Sequence, residues 1–181
     1  MHGLVVYESM FGNTRQIAEA VADGLKSSMD IQVLHADSVP GSGLSDLDLV
    51  VVGAPTHVRG MPRPGTRKGG PDNVRRPGST LVLEPEAESR PGVREWLASL
   101  GDLRIRGAAF DTRIKGPATL TGQASRGIAR SLKHLGVDLI AAPQSFLVDK
   151  KTCLLPGEAD RARAWGVQLA KSVVALSAAK S

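Results

Sequence analysis

Aromatic side chains make up only 3% of this 181-residue chain, and a single cysteine, Cys153, is present. One cysteine excludes an internal disulfide, and no second ligand cluster stands beside it, so a reducing cytoplasm is the expected setting and Cys153 is expected to be ordinary packing. No apolar run approaches the ~20 residues needed to cross a bilayer, so no membrane span is expected. The first apolar strand begins almost at Met1, and no signal peptide is expected. Hydrophobic and charged contents of 41% and 23% are ordinary for a soluble protein. A single domain over residues 1–181 with one sizeable core is the expectation.

The formal net charge is +5. From Arg59 to Arg76 the chain carries Arg59, Arg63, Arg67, Lys68, Arg75 and Arg76 against Asp72 alone, which accounts for all of it. An electrostatic footprint for nucleic acid spreads over a face or a helix. A charge confined to one Pro/Gly-studded stretch argues against that partner and points instead to an acidic one.

Leu4-Val5-Val6-Tyr7 is an apolar run of the kind buried on both faces of a parallel sheet. It breaks into Glu8-Ser9-Met10-Phe11-Gly12-Asn13-Thr14, after which Ile17, Val21 and Leu25 recur at helical spacing. A loop that opens a helix presents unpaired N–H groups and the positive end of the helix dipole, an attractive site for an anion. Ser9, Asn13 and Thr14 add side-chain donors, and Gly12 lets the backbone close without a Cβ. This loop suits a phosphate, although a simple helix cap would use similar residues.

Further along, the pattern predicts a helix from Asn13 to Met29, a strand at Ile31–Ala36, a break at Ser38–Ser45 with Pro40, Gly41 and Gly43, and a buried strand at Leu49–Gly53 ending in Ala54-Pro55-Thr56-His57. Residues 59–92 hold six prolines and read as a long loop, with Thr80–Leu83 as a short strand-like piece. Val93, Trp96, Leu97 and Leu100 mark a helix with Trp96 in the core, and Gly107–Thr112 a fourth strand. A helix over Gln123–Leu135 exposes Arg126, Arg130 and Lys133. Val137–Ala142 gives a fifth strand, with Phe146–Val148 continuing it or starting an extension, and Trp165, Leu169, Val173 and Leu176 line a closing helix.

Alternating strands and helices imply an α/β fold with a doubly wound, five-stranded parallel sheet in the order 2-1-3-4-5. Ligands bind such sheets at the carboxyl ends of the strands beside the switch point. Three loops converge there: Glu8–Thr14, Ala54–Met61 and Asp111–Gly116. Competing phosphate motifs are absent, with neither Gly-x-x-x-x-Gly-Lys-Ser/Thr nor Gly-x-Gly-x-x-Gly after the first strand. Gly53 stands where a phosphoacceptor aspartate would end the third strand.

Ser9-Met10-Phe11-Gly12-Asn13-Thr14 resembles the phosphate loop of the flavodoxin family, and Gly53-Ala54-Pro55-Thr56-His57 resembles the second flavin loop of flavodoxin-like quinone reductases. The chain is also similar to actinobacterial flavodoxin-domain proteins at Tyr7–Thr14, Pro55–His57 and Ala109–Arg113. The resemblance implies FMN as cofactor, with Ser9, Met10, Phe11, Gly12, Asn13 and Thr14 around the phosphate. It puts Pro55, Thr56, His57, Val58 and Arg59 along one edge of the ring and Asp111, Thr112 and Arg113 along the other. It implies electron transfer or a small flavin oxidoreductase, with a redox protein or a small-molecule acceptor as partner. Two alternatives stay open. One is an NAD(P)H-dependent quinone reductase, with Arg63, Arg67 or Lys68 on the nicotinamide cofactor's phosphate; the other is a flavin-free interaction module.

Two departures from the family pattern matter. Phe11 replaces a usual hydroxyl residue, and neither the second nor the third loop holds a Trp, Tyr or Phe to cover the ring. The net positive charge beside the ring would favour an anionic reduced flavin by on the order of 100 mV, so a weaker low-potential carrier is expected. His57 is the one titratable side chain in the second loop suited to proton donation or ring cover.

Overall fold

The computed structural model describes residues 1–40 and 43–178. Its strands are β1 (His2–Tyr7), β2 (Asp30–His35), β3 (Leu49–Pro55), β4 (Arg106–Ile114), β5 (Asp138–Leu139) and β6 (Gln144–Val148). Its helices are α1 (Asn13–Leu25), α2 (Pro64–Arg67), α3 (Gly70–Arg75), α4 (Val93–Ser99), α5 (Ala118–Thr121), α6 (Ala124–His134) and α7 (Glu158–Ala178). The sheet runs β2-β1-β3-β4-β5, with β6 also paired to β4, and every pairing is parallel.

The expected five-stranded order therefore holds except at the last strand, which is split. β5 pairs with Arg106 and Gly107 at the start of β4, whereas β6 pairs with Phe110–Ile114 at its end. The run expected over Val137–Ala142 keeps strand pairing only at Asp138–Leu139, and Pro143, which has no N–H to give a ladder, stands immediately before β6.

The continuous apolar runs in β1 and β3 are explained by burial on both faces. Val5, Leu49, Val51, Ala108 and Phe110 face α1 and α7, while Leu4, Val6, Val50, Val52 and Ala109 face α4 and α6. Gly53 has a packing reason, since a Cβ there would fall 2.0–2.3 Å from the Phe110 ring. The few aromatic rings concentrate in this layer. Phe110, Phe146 and Trp165 meet edge-on or tilted with centroids 6.1–6.3 Å apart.

Trp96 is buried as expected, and Arg126, Arg130, Lys133 and His134 are exposed. Helix α1 stops at Leu25, four residues short of the expected end. Leu176 is 40% exposed and does not join the core stripe of α7, and Cys153 lies exposed in a loop rather than packed. Within the break at Ser38–Ser45, Gly41 lies outside the described residues.

The stretch 59–92 is less irregular than its prolines suggest. It holds the helical turns α2 and α3, while Thr80–Leu83 forms no strand. It is also tied to α4, α1 and the first loop. Arg94 donates to the carbonyls of Pro62 and Met61 at 3.0 Å, the Glu84 amide donates to the Met10 carbonyl at 2.9 Å, and Arg15 pairs with Glu84 at 2.7 Å. No helix among the described residues is long and apolar enough to cross a membrane.

Candidate functional site

A cleft with a cavity volume of about 190 Å³ opens at the carboxyl ends of β1, β3, β4 and β6. Its walls include Ser9, Met10, Phe11, Asn13 and Thr14 from the first loop, Pro55, Thr56 and His57 from the second, and Thr112 and Arg113 from the third. These residues lie far apart in sequence, and the parallel register assembles them: Tyr7 stands beside Gly53, and Pro55 beside Thr112.

The first loop is shaped for an anion. Gly12 adopts φ +84° at the N-terminus of α1, a left-handed conformation that favours glycine. Its amide donates to Ser9 Oγ at 3.1 Å, which leaves the Ser9 hydroxyl proton to point elsewhere. The first-turn amides of α1 have no carbonyl partner inside the helix, and no acidic residue occupies that turn. Thr14 and Thr112 share a hydrogen bond of 2.7 Å between their hydroxyls, tying the first loop to the third.

Asn13 spends one amide proton on the Thr152 carbonyl at 2.6 Å. Thr152 itself has φ +64°, and together with Val148, Ile114 and Asn73 it completes the cleft wall. Ile114 belongs to the third converging loop, Asp111–Gly116, whereas sequence reasoning missed Val148, Thr152 and Asn73. The signal for Val148 and Thr152 was present, because the fifth strand must end beside β4 and its following loop must reach the same rim. Nothing in the sequence around Asn73 marks it, since it arrives through the fold of the 59–92 stretch.

His57 opens a two-residue hairpin in which His57 and Gly60 exchange hydrogen bonds of 2.9 and 3.0 Å. Val58 and Arg59 at its tip both have positive φ, 45° and 69°. Val58, Arg59 and Gly12 do not line the cleft wall; the first two stand outside it at the hairpin tip, and Gly12 acts through its backbone. Burial lowers the His57 pKa below its ordinary 6.5, against the pull of Glu8 and together with Arg67, so the imidazole is neutral at pH 7.

Asp111 is a correction. Its neighbour Thr112 faces α1, so alternation along β4 turns the Asp111 side chain to the α6 face, where it is fully buried. There Oδ2 accepts the Ser125 amide at 2.8 Å at the start of α6, which makes Asp111 a helix anchor rather than one edge of the cleft. Burial raises its pKa above the usual value, opposed first by the Ser125 amide. Thr56 anchors the same helix, its hydroxyl accepting the Ala124 amide at 2.9 Å. Arg113 lines the cleft, while its Nη1 donates to the Gly116 carbonyl at 2.8 Å and to Thr121 Oγ1 at 3.0 Å; its buried Nε has no hydrogen-bond partner.

Arg67 is a second correction. It is buried, with Nε 2.7 Å from Glu8 Oε1 and Nη2 2.6 Å from Glu95 Oε2, so it cannot meet a nicotinamide cofactor or an acidic partner at the surface. The Val93 amide donates to the other Glu8 oxygen at 2.9 Å. Arg59, Arg63, Lys68, Arg75 and Arg76 remain exposed. Among the described residues no group of His, Cys, Asp and Glu is placed to hold a metal ion.

A family model described as Flavodoxin domain matches residues 4–64. No curated protein matches the chain at the sequence level. Among solved structures, a flavodoxin from the domain Archaea is 22% identical with a TM-score of 0.64, the alignment covering 96% of this chain and 99% of that one. Oxidised flavodoxin 1 from Bacillus cereus is 16% identical with a TM-score of 0.65, covering 94% and 98%. Rubredoxin oxygen:oxidoreductase from the anaerobe Desulfovibrio gigas is 18% identical with a TM-score of 0.64, covering 96% of this chain but 36% of that one. The chain is thus flavodoxin-like, carrying the flavodoxin-domain signature over residues 4–64 and the flavodoxin fold over nearly its whole length.

Proposed function

We propose that the cleft binds FMN and that the protein acts in electron transfer or as a small flavin oxidoreductase. The observation that carries this reading is the convergence of an anion-shaped helix N-terminus, Ser9 to Thr14, with two further loops at one sheet edge, Pro55–His57 and Thr112–Ile114. The donor set fits a phosphate monoester: free first-turn amides, the Ser9 hydroxyl and a glycine at positive φ. The unpartnered Nε of Arg113 adds a cation in the same wall. Bound there, FMN would supply the one- and two-electron chemistry of its ring.

The chain's own contributions follow from position. Phe11 is the one aromatic hydrocarbon ring in the cleft wall among the described residues, so it and the neutral His57 imidazole are the flat groups available to meet a planar ligand. Arg113 would favour negative charge on the ligand. With Arg67 paired in the interior, the positive field at the cleft is weaker than the stretch from Arg59 to Arg76 alone suggests.

The test is absorbance near 450 nm during titration of the purified protein with FMN and, separately, with riboflavin, which lacks the phosphate. The expected result is tight FMN binding and riboflavin binding weaker by about tenfold or more, each charge-assisted phosphate bond contributing about 1.5–3 kcal/mol. Equal affinity for the two ligands would remove the phosphate role of Ser9–Thr14, and binding of neither would remove the flavin reading.

A further inference from the structure

We propose that the hairpin tip, α5 and the exposed side of α6 form one docking surface for an acidic protein, seated on an apolar centre of Val58, Ile114 and Leu120. The sequence places positive charge in the stretch 59–76, but the fold joins to it a second segment. Residues 54–71 contain Arg59, Arg63, Arg67 and Lys68 and no Asp or Glu. Residues 112–137 contain Arg113, Lys115, Arg126, Arg130 and Lys133 and again no Asp or Glu. Arg67 is paired in the interior, but the other eight basic residues still exceed the whole chain's net charge of +5, so the remainder of the chain is net acidic.

The two segments touch. Arg59 and Gly122 form a parallel bridge, and a Cβ on Gly122 would lie only 2.1–2.4 Å from the Arg59 backbone. A Cβ on Gly127 of α6 would lie 3.3 Å from Met61 Cε. Arg113 holds the intervening loop through Gly116 and Thr121. Arg59, Arg63, Lys68, Lys115, Arg126, Arg130 and Lys133 are all exposed, and none forms an ion pair among the described residues. Within this cationic face, Val58, Leu120 and Ile114 are 84%, 66% and 48% exposed, and Ile114 also lines the cleft.

The apolar centre decides between classes of polyanion. A protein interface combines a desolvated apolar middle with a charged rim that sets approach and orientation. Single-stranded nucleic acid would call for exposed aromatics to stack on, and among the described residues this face exposes none. The occupant is therefore a protein with an acidic rim around an apolar patch. Its position at the cleft mouth suits a small electron-transfer partner; that redox role rests on the flavin reading, whereas the charge and apolar match do not.

The experiment titrates the full chain, with and without added FMN, against a labelled acidic [2Fe–2S] ferredoxin and, in parallel, a labelled DNA duplex. Binding of the ferredoxin is expected, weakening as salt rises. Leu120→Asp and Arg130→Glu are each expected to weaken it by about tenfold or more. Lys171→Glu, on α7 across the sheet, is the charge-matched control and is expected to leave it unchanged. No binding, or equal loss with Lys171→Glu, would overturn the surface. DNA binding that ignores Leu120→Asp would overturn it in favour of a nucleic acid. The flavin absorbance of the same samples reports separately on the cofactor, so a failed dock with FMN bound leaves that reading intact.

Discussion

Arg67 and Glu8 form a buried ion pair, Nε to Oε1 at 2.7 Å, that joins the end of the first strand to a segment 59 residues further on. Glu95 takes the other arm of the guanidinium at 2.6 Å and also accepts the Gly92 amide at 2.9 Å. One planar fork thereby fixes α2, the start of α4 and the loop beside the cleft. The acids pull the Arg67 pKa up and burial opposes them, so the guanidinium stays charged throughout.

Removing that fork leaves two carboxylates without their cation, one of them buried. Arg67→Ala is expected to destabilise the protein by about 3–5 kcal/mol. Arg67→Lys should recover little, because one ammonium cannot span two carboxylates in a planar fork. Arg63→Ala, an exposed cation four residues earlier, should stay within about 0.5 kcal/mol. Urea unfolding of the three variants checks the ranking; a mild Arg67→Ala would mean that the pair contributes no net stability.

Arg67 also illustrates how far the sequence could be read. The runs of β1 and β3, the helix after Gly12 and the three converging loops were legible because burial on both faces and helical periodicity leave direct traces in residue order. Ten of the candidate residues line the cleft for that reason. Whether a cation in a Pro/Gly-rich stretch is solvated or buried depends on a partner 59 residues away, Glu8, and no local pattern encodes that contact. Asp111 stands one step of strand alternation away from the cleft face: its neighbours on both sides face α1, and a one-residue change of register exchanges faces. The split of the last strand into β5 and β6 leaves no trace in an apolar run that reads as continuous from Val137 to Ala142.

Asp111 gives a pH signature. Its folded pKa is raised by burial above the unfolded value of 3.8, so between the two values the folded state binds more protons than the unfolded one. Stability attributable to this group is therefore highest below the unfolded pKa, falls as pH rises through the folded value, and is constant above it. Asp111→Asn keeps a carbonyl oxygen for the Ser125 amide but cannot ionise. The variant is expected to gain stability over wild type at pH 7 and to lose this downward contribution above pH 4. Unfolding curves for both proteins from about pH 4 to pH 8 test it, and a variant whose stability differs from wild type by the same amount at every pH would refute the assignment.

The hairpin tip offers opposing predictions within two residues' reach. A β-branched residue at φ 45° is costly, since left-handed backbone sets Cβ against the following carbonyl at about 1–2 kcal/mol. A two-residue loop with both φ values positive is the turn that Asn-Gly prefers. Val58→Asn combined with Arg59→Gly should therefore raise stability by about 1 kcal/mol. Gly122, at φ +78° and with the Arg59 backbone 2.1–2.4 Å from any Cβ, allows no side chain. Gly122→Ala must push the hairpin off α5 and should lower stability by more than about 1 kcal/mol while displacing His57 from the cleft wall. Thermal unfolding reads the stability of both variants, and the His57 imidazole NMR titration reads its position: in Gly122→Ala its pKa should climb back toward 6.5 as the ring gains solvent. A stable Gly122→Ala with an unmoved His57 titration would show that the contact between hairpin and α5 does not set the cleft.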